Sequence, residues 1–149
     1  METKLIVHRT QLSYGEAEAA WLNSRSDTPV KDDVIFSVLI SSPEAFSALL
    51  DELHAAVGTP DAFAEELRSE FPDSFFTEND LCVMFSDERS GSNRLTIKEQ
   101  MIFEDTFCLT LQRERGLTMD MAYLFLFCPV EGKTAVRSRV RIEDVPFTW

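Results

Sequence analysis

Residues 34–58 constrain this chain more than any other stretch. The segment 34–41 (VIFSVLIS) is short, almost continuously apolar and rich in β-branched residues, the pattern of a strand covered on both faces. It runs straight into Ser42-Pro43, where the Ser hydroxyl serves as an N-cap and the fixed φ of Pro suits the first helical position. Phe46, Leu49, Leu50, Leu53 and Val57 then fall within one arc of about 100° at helical spacing, and Glu44, Asp51 and Glu52 fall on the far side. Gly58 supplies the left-handed residue that ends the helix. A buried strand that feeds a one-faced helix is the start of a sheet with helices laid on it.

The same grammar recurs on either side. Thr59-Pro60 opens a second helix of about ten residues with Phe63, Leu67 and Phe71 inward, and Pro72 stops it. At the N-terminus, residues 4–10 read as a short strand. Ser13 stands three residues before Glu16, a capping-box spacing, ahead of the helix-prone EAEAAWLNSR with Trp21 and Leu22 as its apolar edge. Residues 24–33 read as a loop.

Past Leu81 the period changes. LCVMF (81–85) is a strand and residues 86–93 (SDERSGSN) are a polar loop. Over 95–111, seven of nine odd positions are apolar (Leu95, Ile97, Met101, Phe103, Phe107, Leu109, Leu111) against two of eight even ones, which favours two strands folded near Glu104-Asp105. The rival reading is one long helix from a capping box at Thr96 and Glu99 to Gly116. Residues 119–128 read as a buried strand and 129–133 as a turn. In 135–142, Val136, Val140 and Ile142 face one way and Arg137, Arg139 and Arg141 the other. The sum is a single α+β domain over residues 1–149. Its sheet is mostly antiparallel, with a C-terminal meander, and two or three amphipathic helices pack on one face. No repeat, low-complexity tract or linker interrupts it.

Composition matters chiefly through charge. With 26 acids against 14 Lys and Arg the chain carries a formal −12, which argues against nucleic acid or an anionic membrane as a direct ligand. The opening METKLIVHRTQ turns polar too soon for a signal peptide. The longest apolar run, residues 121–130, is about half of what a bilayer span needs, so a cytoplasmic protein is expected. Cys82, Cys108 and Cys128 are widely spaced in apolar contexts and read as reduced thiols.

Chemistry is hard to find. His8 and His54 have no suggestive Ser or Cys neighbour, and nucleophile-elbow, phosphate-loop and zinc-helix motifs are absent. Residues 87–91 lack the alternating acids of a calcium loop. Adjacent carboxylates such as Asp32-Asp33 and Glu104-Asp105 read as solvated surface. No catalytic residue, metal or cofactor is expected, and the chain reads as a non-enzyme.

Distribution is more informative. Ten acids lie between Glu44 and Asp80, with Arg68 the only base among them. The bland reading is a solvated helix face. The functional reading makes Glu44, Asp51, Glu52, Asp61, Glu65, Glu66, Glu70 and Asp73 a docking surface for a basic protein, with Phe75 or Phe76 as an exposed anchor. The row Arg137, Arg139 and Arg141 needs acids on neighbouring strands; failing that, it contacts an acidic or phosphorylated group or a second copy. By analogy of size and charge, the expected function is that of a small acidic bacterial inhibitor, such as an immunity protein or a phage-encoded inhibitor. It would imitate nucleic acid on a nuclease toxin or defence nuclease. The alternatives are a small-ligand or enzymatic α+β domain without a local motif, and a secretion chaperone or assembly subunit.

Overall fold

In the computed structural model, which describes residues 4–10, 12, 14–28 and 34–145, the apolar segment after residue 34 forms strand β2 (Phe36–Ile40). Ahead of it lie β1 (Ile6–Thr10) and α1 (Glu16–Arg25). After it come α2 (Pro43–Val57), α3 (Asp61–Glu70), a 3-10 turn (Asp73–Thr77), β3 (Asn79–Glu88), β4 (Arg94–Phe103), β5 (Thr106–Glu114), β6 (Ala122–Glu131) and β7 (Arg137–Asp144). The fold is α+β, with two mostly antiparallel sheets. One sheet has the order β1-β6-β3-β2; the other has the order β4-β5-β7, in which β7 runs parallel to β5.

The helices stop where their signals say. The Ala45 N–H donates to the Ser42 hydroxyl at 3.1 Å, and Gly58 sits at φ 72°. In α1 the capping box lies two residues later than the sequence spacing indicated: the Gly15 N–H donates to the Glu18 carboxylate at 3.1 Å, and Ser13 lies outside the described residues.

The three helices cover one face of the first sheet and the second sheet covers the other. Strict alternation on β3 and β6 divides their side chains accordingly. Leu81, Val83, Phe85, Phe125 and Phe127 join the helices' apolar faces in one core. Cys82, Met84, Leu124, Leu126, Cys128 and Val130 meet Leu109, Leu111, Val140 and Ile142 of the second sheet in another. The expected meander is therefore split. After the β4–β5 hairpin the chain returns to the first sheet as β6, between β1 and β3, and only then adds β7 to the second.

The segment 95–111 is two strands, folded at Glu104 (φ 57°) and Asp105 as the alternation indicated. A register shift between Ile97 and Glu99 breaks the phase, however. Leu95 and Ile97 pack toward the core, whereas Met101 and Phe103 turn outward and Ile102 shares a face with Phe107. Other boundaries move as well. β6 begins at Ala122, leaving Met119 and Met121 exposed, and it continues through Pro129 to Glu131 before Gly132 (φ 85°) turns the chain. Pro129 lies beyond Phe127, the last β6 residue paired with β1, so its missing N–H takes no bond from that ladder. Val136 is exposed, and Ser138 takes the inward position before Val140. Among the described residues no helix is long and apolar enough to cross a membrane.

Residues 26–28 tie the free edges of β2 and β7 together. One Asp27 oxygen accepts from the Leu39 N–H at 3.0 Å, the Ser138 N–H at 3.0 Å and the Ser138 hydroxyl at 3.2 Å. The Thr28 hydroxyl bonds Ser37 and accepts from the Val140 N–H at 3.1 Å. This polar strap satisfies edge groups of both sheets at once. Asp27→Ala is expected to lower stability by about 1–3 kcal/mol, the cost of leaving the buried Ser138 donors and the partly buried Leu39 N–H without this partner, and Asp27→Asn by less. Urea unfolding checks this; an unchanged midpoint in the Ala variant refutes the strap.

Candidate functional site

Two charged regions compete for attention: the helical layer, which the sequence singled out, and one end of the sandwich, which it did not.

On the helical layer, Glu44, Asp51, Asp61, Glu65, Glu66, Glu70 and Asp73 are exposed and Glu52 is half-buried. The apolar arc of α2 faces the core as the spacing requires, so these carboxylates stand on the outer face. Several have basic side chains nearby. Arg25 of α1 reaches Glu52 at 2.6 Å, Arg68 of α3 lies 3.5 Å from Asp51, and His54 lies 3.7 Å from Asp61. The His8 ring lies 3.2 Å from Glu70 and 3.9 Å from Glu66. Glu44, Glu65 and Asp73 have no such neighbour among the described residues. Asp80 does not belong to this surface. It is buried, and Lys133 donates to it at 3.0 Å while also donating to the carbonyls of Ser41, Phe76 and Asn79.

Neither phenylalanine is an exposed anchor. Phe76 is buried against Phe46, and the half-buried Phe75 packs edge-on to Phe71. The 3-10 turn folds both rings under the surface, where their apolar area is removed from water. The histidines are also structural. His8 meets Phe63 and Phe127 edge-to-face, and the His54 ring lies 2.7 Å from the Thr59 carbonyl at the end of α2.

The arginine row stands on the outer face of the second sheet. Arg137 bonds Asp105 at 2.7 Å, and Arg141 lies 3.8 Å from Glu143 on its own strand. The neighbouring β5 positions are the uncharged Thr106, Cys108 and Thr110, so acids directly opposite on that strand do not balance the row. Cys82 and Cys128 sit opposite each other between the sheets as free thiols. Burial pushes the Cys82 thiol well above its ordinary value and Cys128 up to about 12.

The second region arises because three strands keep their alternation past the point where apolar residues run out. The inward phase reads Cys82, Met84, Ser86, Glu88 on β3; Leu109, Leu111, Arg113 on β5; and Val140, Ile142, Asp144 on β7. The core between the sheets thus ends in charge. Glu88 is only 1% exposed. It accepts from Arg113 Nε at 2.7 Å and Nη2 at 2.8 Å, from the Ser86 hydroxyl at 2.6 Å and from the Asn93 amide at 3.3 Å. Desolvation pushes the Glu88 carboxyl upward, but the bonds from Arg113 and Ser86 outweigh it and hold the group below its usual range. Arg113 Nη1 donates to Asp144 at 3.3 Å, and Arg115 donates to the same carboxylate at 3.5 and 3.1 Å. The Arg115 hydrogen bonds hold Asp144 below its ordinary value.

Two loops close over this end. The Gly116 N–H donates to Asn93 at 2.8 Å, Ser90 and Thr118 hydroxyls lie 2.7 Å apart, and the Gly91 N–H donates to the Asp120 carbonyl at 2.6 Å. The approach is so close that a Cβ on Gly116 would fall 2.6 Å from the Ser92 carbonyl carbon. With Thr118 held against the neighbouring loop and the Asp120 carbonyl bonded to Gly91, Leu117, Met119 and Met121 project into solvent, 86%, 95% and 58% exposed.

Sequence reasoning missed this end because residues 86–93 look like a polar loop. The signal was parity: Ser86 and Glu88 continue the inward phase of Cys82 and Met84. Among the described residues no group of three or more His, Cys, Asp or Glu side chains is placed to hold a metal ion. No protein-family model matches the chain, and no curated protein or solved structure is significantly similar to it.

The Glu88–Arg113 pair has a pH signature. A carboxyl held below its unfolded value lends stability that is present above that value and disappears as pH falls through the folded value. Glu88→Gln is expected to cost up to about 3 kcal/mol at neutral pH, the low end for breaking a buried pair because Arg113 keeps Asp144. The difference from the parent should shrink below about pH 4. Urea unfolding at a series of pH values measures it, and a pH-independent difference would count against the pair as described.

Proposed function

We propose that this chain is a non-catalytic binding protein whose helical layer docks on a basic protein partner. One observation supports the reading: residues 43–78 carry nine acids and a single base, Arg68, and the fold turns that face to solvent. Ion pairs within the layer do not cancel this excess, because Arg25 and Arg68 answer one carboxylate each. A surface of this kind attracts a cationic groove over several ångströms and repels acidic competitors. On a nuclease toxin or defence nuclease, the carboxylates would take the place of substrate phosphates, and the chain would act as an immunity protein or inhibitor in the cytoplasm.

Three exposed carboxylates without a basic neighbour among the described residues give the cleanest test. Glu44→Lys, Glu65→Lys and Asp73→Lys together change the layer by six charges at exposed positions. The expected outcome is an unchanged unfolding midpoint, with loss of a basic partner captured from the native organism and identified by mass spectrometry. Capture by the parent chain should weaken steeply between about 50 and 200 mM salt. A partner that survives both the triple reversal and the added salt refutes docking through this face.

A small-ligand reading is favoured by a separate observation, the charged cavity at the end of the sandwich.

A further inference from the structure

The end of the inter-sheet core opens into a cavity of about 380 Å³ lined by Asp87, Glu88, Arg89, Asn93, Arg113, Arg115 and Asp144. We propose that this cavity binds an oxyanion, the carboxylate or phosphate group of a ligand, and that Asp144 fills the site as a tethered stand-in until the ligand displaces it.

The two carboxylates on Arg113 are not equivalent. Glu88 is buried and takes the Nε and Nη2 edge at 2.7 and 2.8 Å. That bidentate grip fixes the guanidinium plane and leaves Nη1 directed at Asp144. Asp144 is 43% exposed, lies at the last position of β7, and is held by bonds of 3.1–3.5 Å from Arg113 and Arg115. One carboxylate orients the arginine; the other occupies the position that the oriented arginines offer.

The remaining lining suits an anion. Arg89 lines the same cavity and reaches no carboxylate within ion-pair distance among the described residues. Once Asp144 leaves, three guanidiniums face Glu88 and Asp87. Desolvation raises the Asp87 carboxyl from its ordinary value. Planar guanidiniums with paired N–H donors match carboxylate and phosphate oxygens alike. A tethered competitor acts at an effective concentration on the order of millimolar, so the parent chain should bind a free anion weakly and a chain without the Asp144 charge more tightly.

The test uses the full chain, titrated separately with inorganic phosphate and with acetate and followed by amide NMR. Asp144→Asn should bind at least one of the two anions about tenfold more tightly than the parent. The shifts should centre on Asn93, Arg113 and Gly116. Adding Arg115→Ala to Asp144→Asn should remove that binding. Phosphate alone, acetate alone or both would distinguish the source of the oxyanion within the proposal. Equal binding by the parent and Asp144→Asn, binding retained without Arg115, or no binding of either anion would overturn it. Arg89→Ala in the parent background, which removes no partner of Glu88, guards against an unstable Asp144 variant: it should weaken anion binding with the unfolding midpoint unchanged, and undiminished binding would also overturn the proposal. None of these outcomes depends on the helical layer.

Discussion

The pairing of β3 with β6 is the interaction on which the rest of the structure depends. Ten consecutive residues of each strand are in register, from Asn79 opposite Glu131 to Glu88 opposite Ala122. Because both strands are apolar on both faces, they bury one set of side chains under the helices and the other under the second sheet. Each core borrows half its wall from this pair. The other strands, β1 and β2 at the flanks and β4, β5 and β7 opposite, are stable only when laid against it.

What could be read from the sequence follows from this division. α2 was legible to the residue because cap, arc and terminator agreed: Ser42, the Phe46–Val57 face and Gly58. α3 was legible from Pro60 to Pro72. The β4–β5 hairpin was legible from period two, yet the outward turn of Met101 and Phe103 was not, because a one-residue register shift at Ile97/Glu99 reverses parity without altering composition. The split of the C-terminal strands between two sheets was invisible, since alternation says which side of a strand is buried but not which sheet it joins. The same limit hid the Glu88 site, whose members come from β3, β5 and β7 and meet only in the folded chain.

Charge is segregated along the layers. Residues 94–145, which supply the second sheet, the loop over the charged end and β6 of the first sheet, hold eight acids and eight Lys or Arg, so the whole −12 resides in the first 93 residues. The molecule is therefore electrically lopsided: its helical side is strongly negative and its opposite side balanced. Its orientation toward any charged neighbour is set before contact, and the two surfaces considered above answer to opposite kinds of ligand.

The position of β6 also governs how the chain can be made. β1 is synthesised before the other strands, yet among the described residues its strand partner is β6, more than a hundred residues later. β3 likewise lacks one neighbour until β6 emerges. During synthesis, α2 and α3 can form on local signals while the first sheet waits with an open gap at its centre. High sequence separation of this kind slows folding and leaves strand edges uncovered meanwhile. The acidic helices, emerging early and strongly self-repelling between copies, would keep nascent chains apart during that interval.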